Sequence, residues 1–117
     1  MEIDNLRSAL LALHKAVLAA ERGNVERIHG PLSNAEFLQL VQDPLRYGWL
    51  KPLTELILAF DDPEEERAAP EELLARSREL LAPPKQKTAF GRRYLSLMQR
   101  EPALVMAHAE LMKHLPK

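Results

Sequence analysis

Leucine and alanine recur along this chain at spacings of three and four, and no stretch sustains the alternation of Val, Ile and Thr that marks a strand. Ile3, Leu6, Leu10, Leu13, Val17 and Ala20 form the longest stripe, widened by Leu11, Leu18 and Val25. The spacing predicts a helix from about Asp4 to Arg27, with Asp4 able to cap the first free N–H groups. Gly23-Asn24 weakens its last turns, and His29-Gly30-Pro31 is a firm stop.

Ser33-Asn34-Ala35-Glu36 reads as a capping box, with Leu32 and Phe37 placed as a hydrophobic staple, and the short helix it opens ends near Gln42. Asp43-Pro44 reads as a new cap. Beyond it Leu45, Trp49, Leu53, Leu56 and Phe60 share one face, with Leu50 and Ile57 beside them. Pro52 interrupts that face, so the expectation is a short turn over 44–50 and a main helix over 52–61, or one kinked helix. Trp49 is expected to anchor the core. Residues 61–69 read as an acidic loop. A helix from Pro70 to about Leu81 carries Glu71 and Glu72 at its positive end. Pro83-Pro84 ends that helix, and another runs from about Gln86 to Arg100 presenting Phe90, Tyr94 and Leu97. Pro102 opens a last helix with Leu104, Val105, Leu111, Met112 and Leu115 on one face. The expected architecture is all-α, a single domain over residues 1–117 built as an antiparallel bundle of five or six helices.

Composition narrows the chemistry. The chain has 117 residues, 46% hydrophobic and 28% charged, which is an ordinary globular mix. Cysteine is absent, which removes disulfides, zinc–thiolate sites, iron–sulfur clusters and thiol nucleophiles together. No apolar run approaches the roughly 20 residues of a membrane helix. Met-Glu-Ile-Asp at the start lacks the basic-then-apolar order of a secretion signal, so a cytoplasmic protein with no membrane partner is expected. No serine lies in a Gly-x-Ser-x-Gly elbow, and the four glycines form no phosphate loop. No catalytic residue is assigned on this basis, and no cofactor.

The formal net charge of -1 conceals a division. Residues 61–82 hold eight acids and three bases, a net of -5, and residues 83–117 hold seven bases and two acids, a net of +5. From Lys85 to Arg100 there are five bases and no acid, with Phe90 and Tyr94 interleaved. Such a segment suits RNA, phosphate or an acidic partner. Five charges beside a -5 segment make a weak nucleic-acid footprint, and a solvated face explains them more simply.

The anomaly lies on the apolar faces. At about 100° per residue, His14 and Glu21 project within about 40° of Leu10 and Val17. His29 lies near the direction of Leu11 and Leu18, and His108 projects between Leu104, Leu111 and Met112. Convergence of His14, Glu21 and His108 would make a metal site or an acid–base set. Glu26-Arg27-Ile28-His29 also matches the Glu-x-x-His half-motif of di-iron bundles, although only one copy is present. The structural alternative makes His14 and His108 hydrogen-bonded core or interface histidines and pairs Glu21 with Arg7, Arg22 or Arg93. Trp49 and Tyr94 are the candidate aromatic anchors, of a pocket or of the core.

Leu13-His14-Lys15 with Glu21 and His29-Gly30, Phe37-Leu38-Gln39-Leu40-Val41, Asp43-Pro44, Trp49-Leu50-Lys51-Pro52-Leu53, Arg93-Tyr94-Leu95 and Met106-Ala107-His108 together resemble an uncharacterised family of small bacterial all-helical proteins. The resemblance spans most of the chain, and its most specific part is Asp-Pro-x-x-x-x-Trp-Leu-x-Pro-Leu. It implies a bacterial source and a helical fold, and no chemistry. Two functional classes follow from the residues. One is a binding or regulatory module that self-associates or takes a protein partner, since 117 residues struggle to bury every apolar face. The other is a bundle that holds a metal or small ligand, with or without catalysis, on His14, Glu21 and His108.

Overall fold

The structure, a computed structural model, describes residues 2–43, 47–61, 69–82 and 84–115. Among them are six α-helices, one 3-10 turn and no strand, an all-α bundle as the periodicity requires. The Pro44 cap with Leu45, the acidic loop and Pro83 lie outside the described residues, as does the side chain of Ile3.

Helix α1 (Glu2–His29) is 28 residues long. At about 1.5 Å per residue it is about 42 Å long. This one element accounts for the longest dimension of the molecule, 43 Å. Leu6, Leu10, Leu13 and Val17 are fully buried along it. The helix continues through Gly23-Asn24 and past Arg27, because the last-turn residues find side-chain partners. Gly30 then takes φ +86, where a side chain would be strained, and its N–H closes on the Glu26 carbonyl at 2.8 Å.

Helix α2 (Asn34–Val41) has the expected capping box: Ser33 Oγ accepts from the Glu36 N–H at 3.1 Å, and the Glu36 carboxylate accepts from the Ser33 N–H at 3.0 Å. Phe37 is buried and Leu32 half-buried. Arg22 on α1 donates to the Leu32 carbonyl and, at 2.8 Å, to Asn34 Oδ1, and its guanidinium lies over the Phe37 ring at 5.5 Å. Glu26 Oε2 accepts from the Leu32 N–H at 2.8 Å. Arg22 and Glu26 therefore clamp the 30–34 link to α1.

A 3-10 turn (Gly48–Leu50) leads into α3 (Lys51–Asp61). Pro52 sits in the first turn of α3, where a missing N–H leaves no hydrogen bond unmade, so neither a break nor a kink is needed. Tyr47, rather than Trp49, is the buried aromatic of this region, and Trp49 lies half-buried at the edge of the core.

Helix α4 (Pro70–Leu81) forms as expected. Helix α5 (Ala89–Arg100) starts three residues later than the apolar pattern suggests. Thr88 is its N-cap, with Oγ1 accepting from the Gly91 N–H at 2.8 Å, and the residues before it fold as a turn against Gly91. Helix α6 (Pro102–Met112) buries Leu104 and Leu111, with Leu115 beyond it. Val105, expected on the same face, is exposed, because the apolar residues of α6 surround the helix and only one side meets the core.

α1 packs most extensively on α6, and also contacts α3 and α5, while α4 packs on α3. Phe90, Tyr94, Leu97, Leu53 and Leu73 fill the space between. No helix among the described residues is long and apolar enough to cross a membrane.

Candidate functional site

Each polar residue of the apolar faces has an identifiable environment. Glu21 on α1 is 3% exposed. Arg93, 72 positions away on α5, reaches it with Nε at 2.9 Å and Nη2 at 2.7 Å from Oε1. A carboxylate at that depth needs a charged partner, and of the three arginines that sequence allowed, Arg93 is the one supplied. Arg22 is occupied on the clamp.

His108 on α6 meets Tyr94 on α5, with the phenol oxygen 2.6 Å from Nδ1. Burial raises the Tyr94 phenol above its ordinary value and lowers the imidazole of His108. Both groups are therefore neutral near pH 7, and they share one hydrogen bond whose donor, phenol O–H or ring N–H, is set by the imidazole tautomer. This bond closes an aromatic series: Trp49 to Phe90 at 6.2 Å, Phe90 stacked on Tyr94 at 5.2 Å, and Tyr94 to His108 at 5.5 Å.

His14 is half-buried, and desolvation lowers its imidazole too. It lines a cleft of about 420 Å³ with Leu18, Leu38, Val41, Asp43 and Tyr47. His29 is exposed at the end of α1 and shares a separate cleft of about 370 Å³ with Glu21, Arg93, Tyr47 and Trp49. The candidate residues thus divide. Glu21 and His29 border one cleft, His14 another, and His108 is engaged inside the bundle. Among the described residues no group of three His, Asp or Glu side chains is placed to hold a metal ion. In the Glu26-x-x-His29 pair the Glu26 carboxylate accepts from the Leu32 N–H and lies 3.6 Å from Arg22.

The lowered imidazoles give a pH prediction. Where the folded pKa lies below the unfolded one, the unfolded chain binds more protons, and stability falls as pH falls. His14 and His108 both have an ordinary value of 6.5. Urea midpoints should therefore hold above that pH and decline below it, before carboxylates titrate. A His14→Gln, His108→Gln double variant should flatten that decline, and an unchanged slope would contradict the assignment.

A third and larger concavity, about 740 Å³, lies between α3, α4 and the 85–90 segment. Trp49, Leu56, Leu80 and Phe90 line it with Pro52 and Ala75, and Glu55, Glu72, Arg76, Glu79 and Lys85 supply its charges. The turn at 47–49 joins all three spaces: Tyr47 borders both smaller clefts, and Trp49 stands between the groove and the Glu21–Arg93 cleft. Periodicity alone does not reveal this groove. Of the missed residues, Gly91 did carry a signal, since a glycine within a helical pattern can have a packing reason, although Gly23 in α1 has no such neighbour.

The basic segment is largely used internally. Lys85 pairs with Glu79, Arg92 donates to the carbonyls of Gln86 and Lys87 at 3.2 Å each, and Arg93 holds Glu21. Comparison with protein-family models, with curated proteins and with solved structures finds no match to this chain.

Proposed function

We propose that this protein is a small helical binding module that self-associates through the outer face of α6. The supporting observation is the make-up of that helix. From Pro102 to Ala109 it carries no charged residue, and Glu110, one turn beyond Met106 on the same side, is paired with Lys113 at 3.1 Å. Met106 is 72% exposed and Val105 42% exposed, while Ala103 and Ala109 are also on the solvent side. A stretch of helix apolar on every side, as over 102–109, is normally covered on every side. The core covers only the side bearing Leu104 and Leu111.

A two-fold contact brings each residue close to its own copy, so a charged face would repel itself. This face can meet its own copy, because its one acid, Glu110, is balanced by Lys113 at the end of the helix, and its alanines allow close approach of the two axes. The histidines and Glu21 are not part of this surface, and the reading does not depend on them.

Sedimentation equilibrium tests it. The wild-type chain should run as a dimer. Met106→Glu should weaken association by about 100-fold or more, since it removes an apolar anchor and sets a carboxylate against its symmetry mate. Circular dichroism should stay unchanged, because Met106 makes no contribution to the core. A wild-type monomer at all accessible concentrations, or a Met106→Glu variant that associates as before, would overturn the proposal.

A further inference from the structure

We infer that the cleft at the Glu21–Arg93 pair binds a small, planar, uncharged molecule that carries a carbonyl and an N–H side by side, as a cyclic amide or a nucleobase does. No residue that lines this cleft belongs to α6, and the inference does not rest on self-association.

The pair is only half satisfied from within the protein. Glu21 is buried and still borders the cleft, and both of its contacts with Arg93 fall on Oε1, 2.9 Å from Nε and 2.7 Å from Nη2. An ionised carboxylate accepts on both oxygens. Among the described residues none donates to Oε2. Arg93 is used on one edge alone, since its Nη1 group makes no hydrogen bond to the described residues, and its side chain is part-exposed in the same cleft. Nη2 lies against Oε1, and Oε2 is bonded to the same carbon. An open acceptor and open donors therefore sit next to one another on the inner wall.

That wall sets the chemistry of the ligand. A buried acceptor without a donor is costly, and a ligand N–H placed on Oε2 removes the cost. The neighbouring carbonyl of the same ligand accepts from the guanidinium. The charges of Glu21 and Arg93 cancel, so a molecule with a net charge would bring an unmatched charge to a desolvated site. The rest of the cleft is apolar or aromatic, with Val25, Ile28, Tyr47 and Trp49, and the aromatic groups give a planar ring a surface to pack on. At about 370 Å³ the cleft lies near the lower end of ligand pockets, which suits a small ring compound rather than a peptide.

Trp49 borders the cleft and is the single tryptophan of the chain, so its emission reports occupancy. The probe is uracil, with N,N′-dimethyluracil, benzoate and benzylamine as controls. Uracil should change Trp49 emission and saturate. Dimethyluracil keeps the ring and both carbonyls but has no N–H, and it should bind at least about tenfold more weakly. The two charged controls should not compete with uracil. Glu21→Leu with Arg93→Ala replaces the pair by apolar groups, and it should keep the circular dichroism of the wild type and lose uracil binding. Glu21→Gln keeps the shape and removes the charge, so it reads the same contact with little change in packing. It should weaken uracil by about tenfold. No saturable binding of uracil, equal binding of dimethyluracil, displacement by either charged control, or undiminished binding in a folded Glu21→Gln variant would overturn the inference.

Discussion

Gly91→Ala is expected to destabilise the fold by about 3 kcal/mol, although alanine is the better helix former by about 1 kcal/mol. Gly91 lies in the first turns of α5, beneath the turn that precedes it. A Cβ there would lie 1.8 Å from the Lys85 carbonyl oxygen and 2.7 Å from the Lys85 nitrogen. Both are backbone atoms, so no side-chain rotation can relieve the contact. The Lys85 carbonyl accepts from the Thr88 N–H at 3.1 Å and from the Thr88 hydroxyl at 3.0 Å. Displacing it therefore breaks both bonds, and the Thr88 cap of α5 is lost with them. Gly23 is the internal control. It is also inside a helix, but a Cβ there meets nothing within 4 Å. Gly23→Ala should raise stability by about 0.5 to 1 kcal/mol. Urea denaturation reads both, and changes of the same sign would contradict the packing described for α5.

Arg93→Ala is expected to cost about 2 to 3 kcal/mol, because it leaves the Glu21 carboxylate buried without its cation. The cost stays below that of a fully buried pair, since the arginine side chain is 42% exposed and already shares water. The decisive comparison is the double variant. Glu21→Leu removes the charge that needs a partner, so Glu21→Leu with Arg93→Ala should return to within about 1 kcal/mol of the wild type. A double variant as unstable as the sum of the two single ones would show that Arg93 stabilises the fold by packing rather than by its charge. Thermal denaturation at fixed pH and salt is sufficient, provided all four proteins are compared in one buffer.

The parts of the fold legible in sequence were those fixed by local chemistry. The stripe from Leu6 to Val17, the Ser33–Glu36 box and the Pro70 start each depend on residues within a few turns of one another. What depended on distant contacts was not legible. Glu21 was conspicuous as a carboxylate among leucines, yet three arginines were equally available to it until α5 was placed against α1. His14, Glu21 and His108 stood out for the same reason, but helical spacing could not say that they face different spaces. Val105 and Leu104 are nearly interchangeable in hydropathy. In a helix as uniformly apolar as α6, periodicity therefore carries no information about which side faces the core. Trp49 was expected at the centre because of its size. Its place at the edge follows from the 3-10 turn, which aims Tyr47 inward and leaves the indole between two open spaces.

The packing of α1 on α6 has a consequence in time. These helices lie near opposite ends of the described chain, yet their contact is the most extensive in the molecule. During synthesis the leucines of α1 are made well before their principal cover, which follows from residue 102 onward. Throughout that interval the longest apolar stripe of the bundle is without its partner. The bundle can close only when Leu104 and Leu111 have left the ribosome. A ribosome-bound chain stalled before residue 100 should expose that stripe to whatever holds nascent chains, and the release of α6 is the event that ends the exposure.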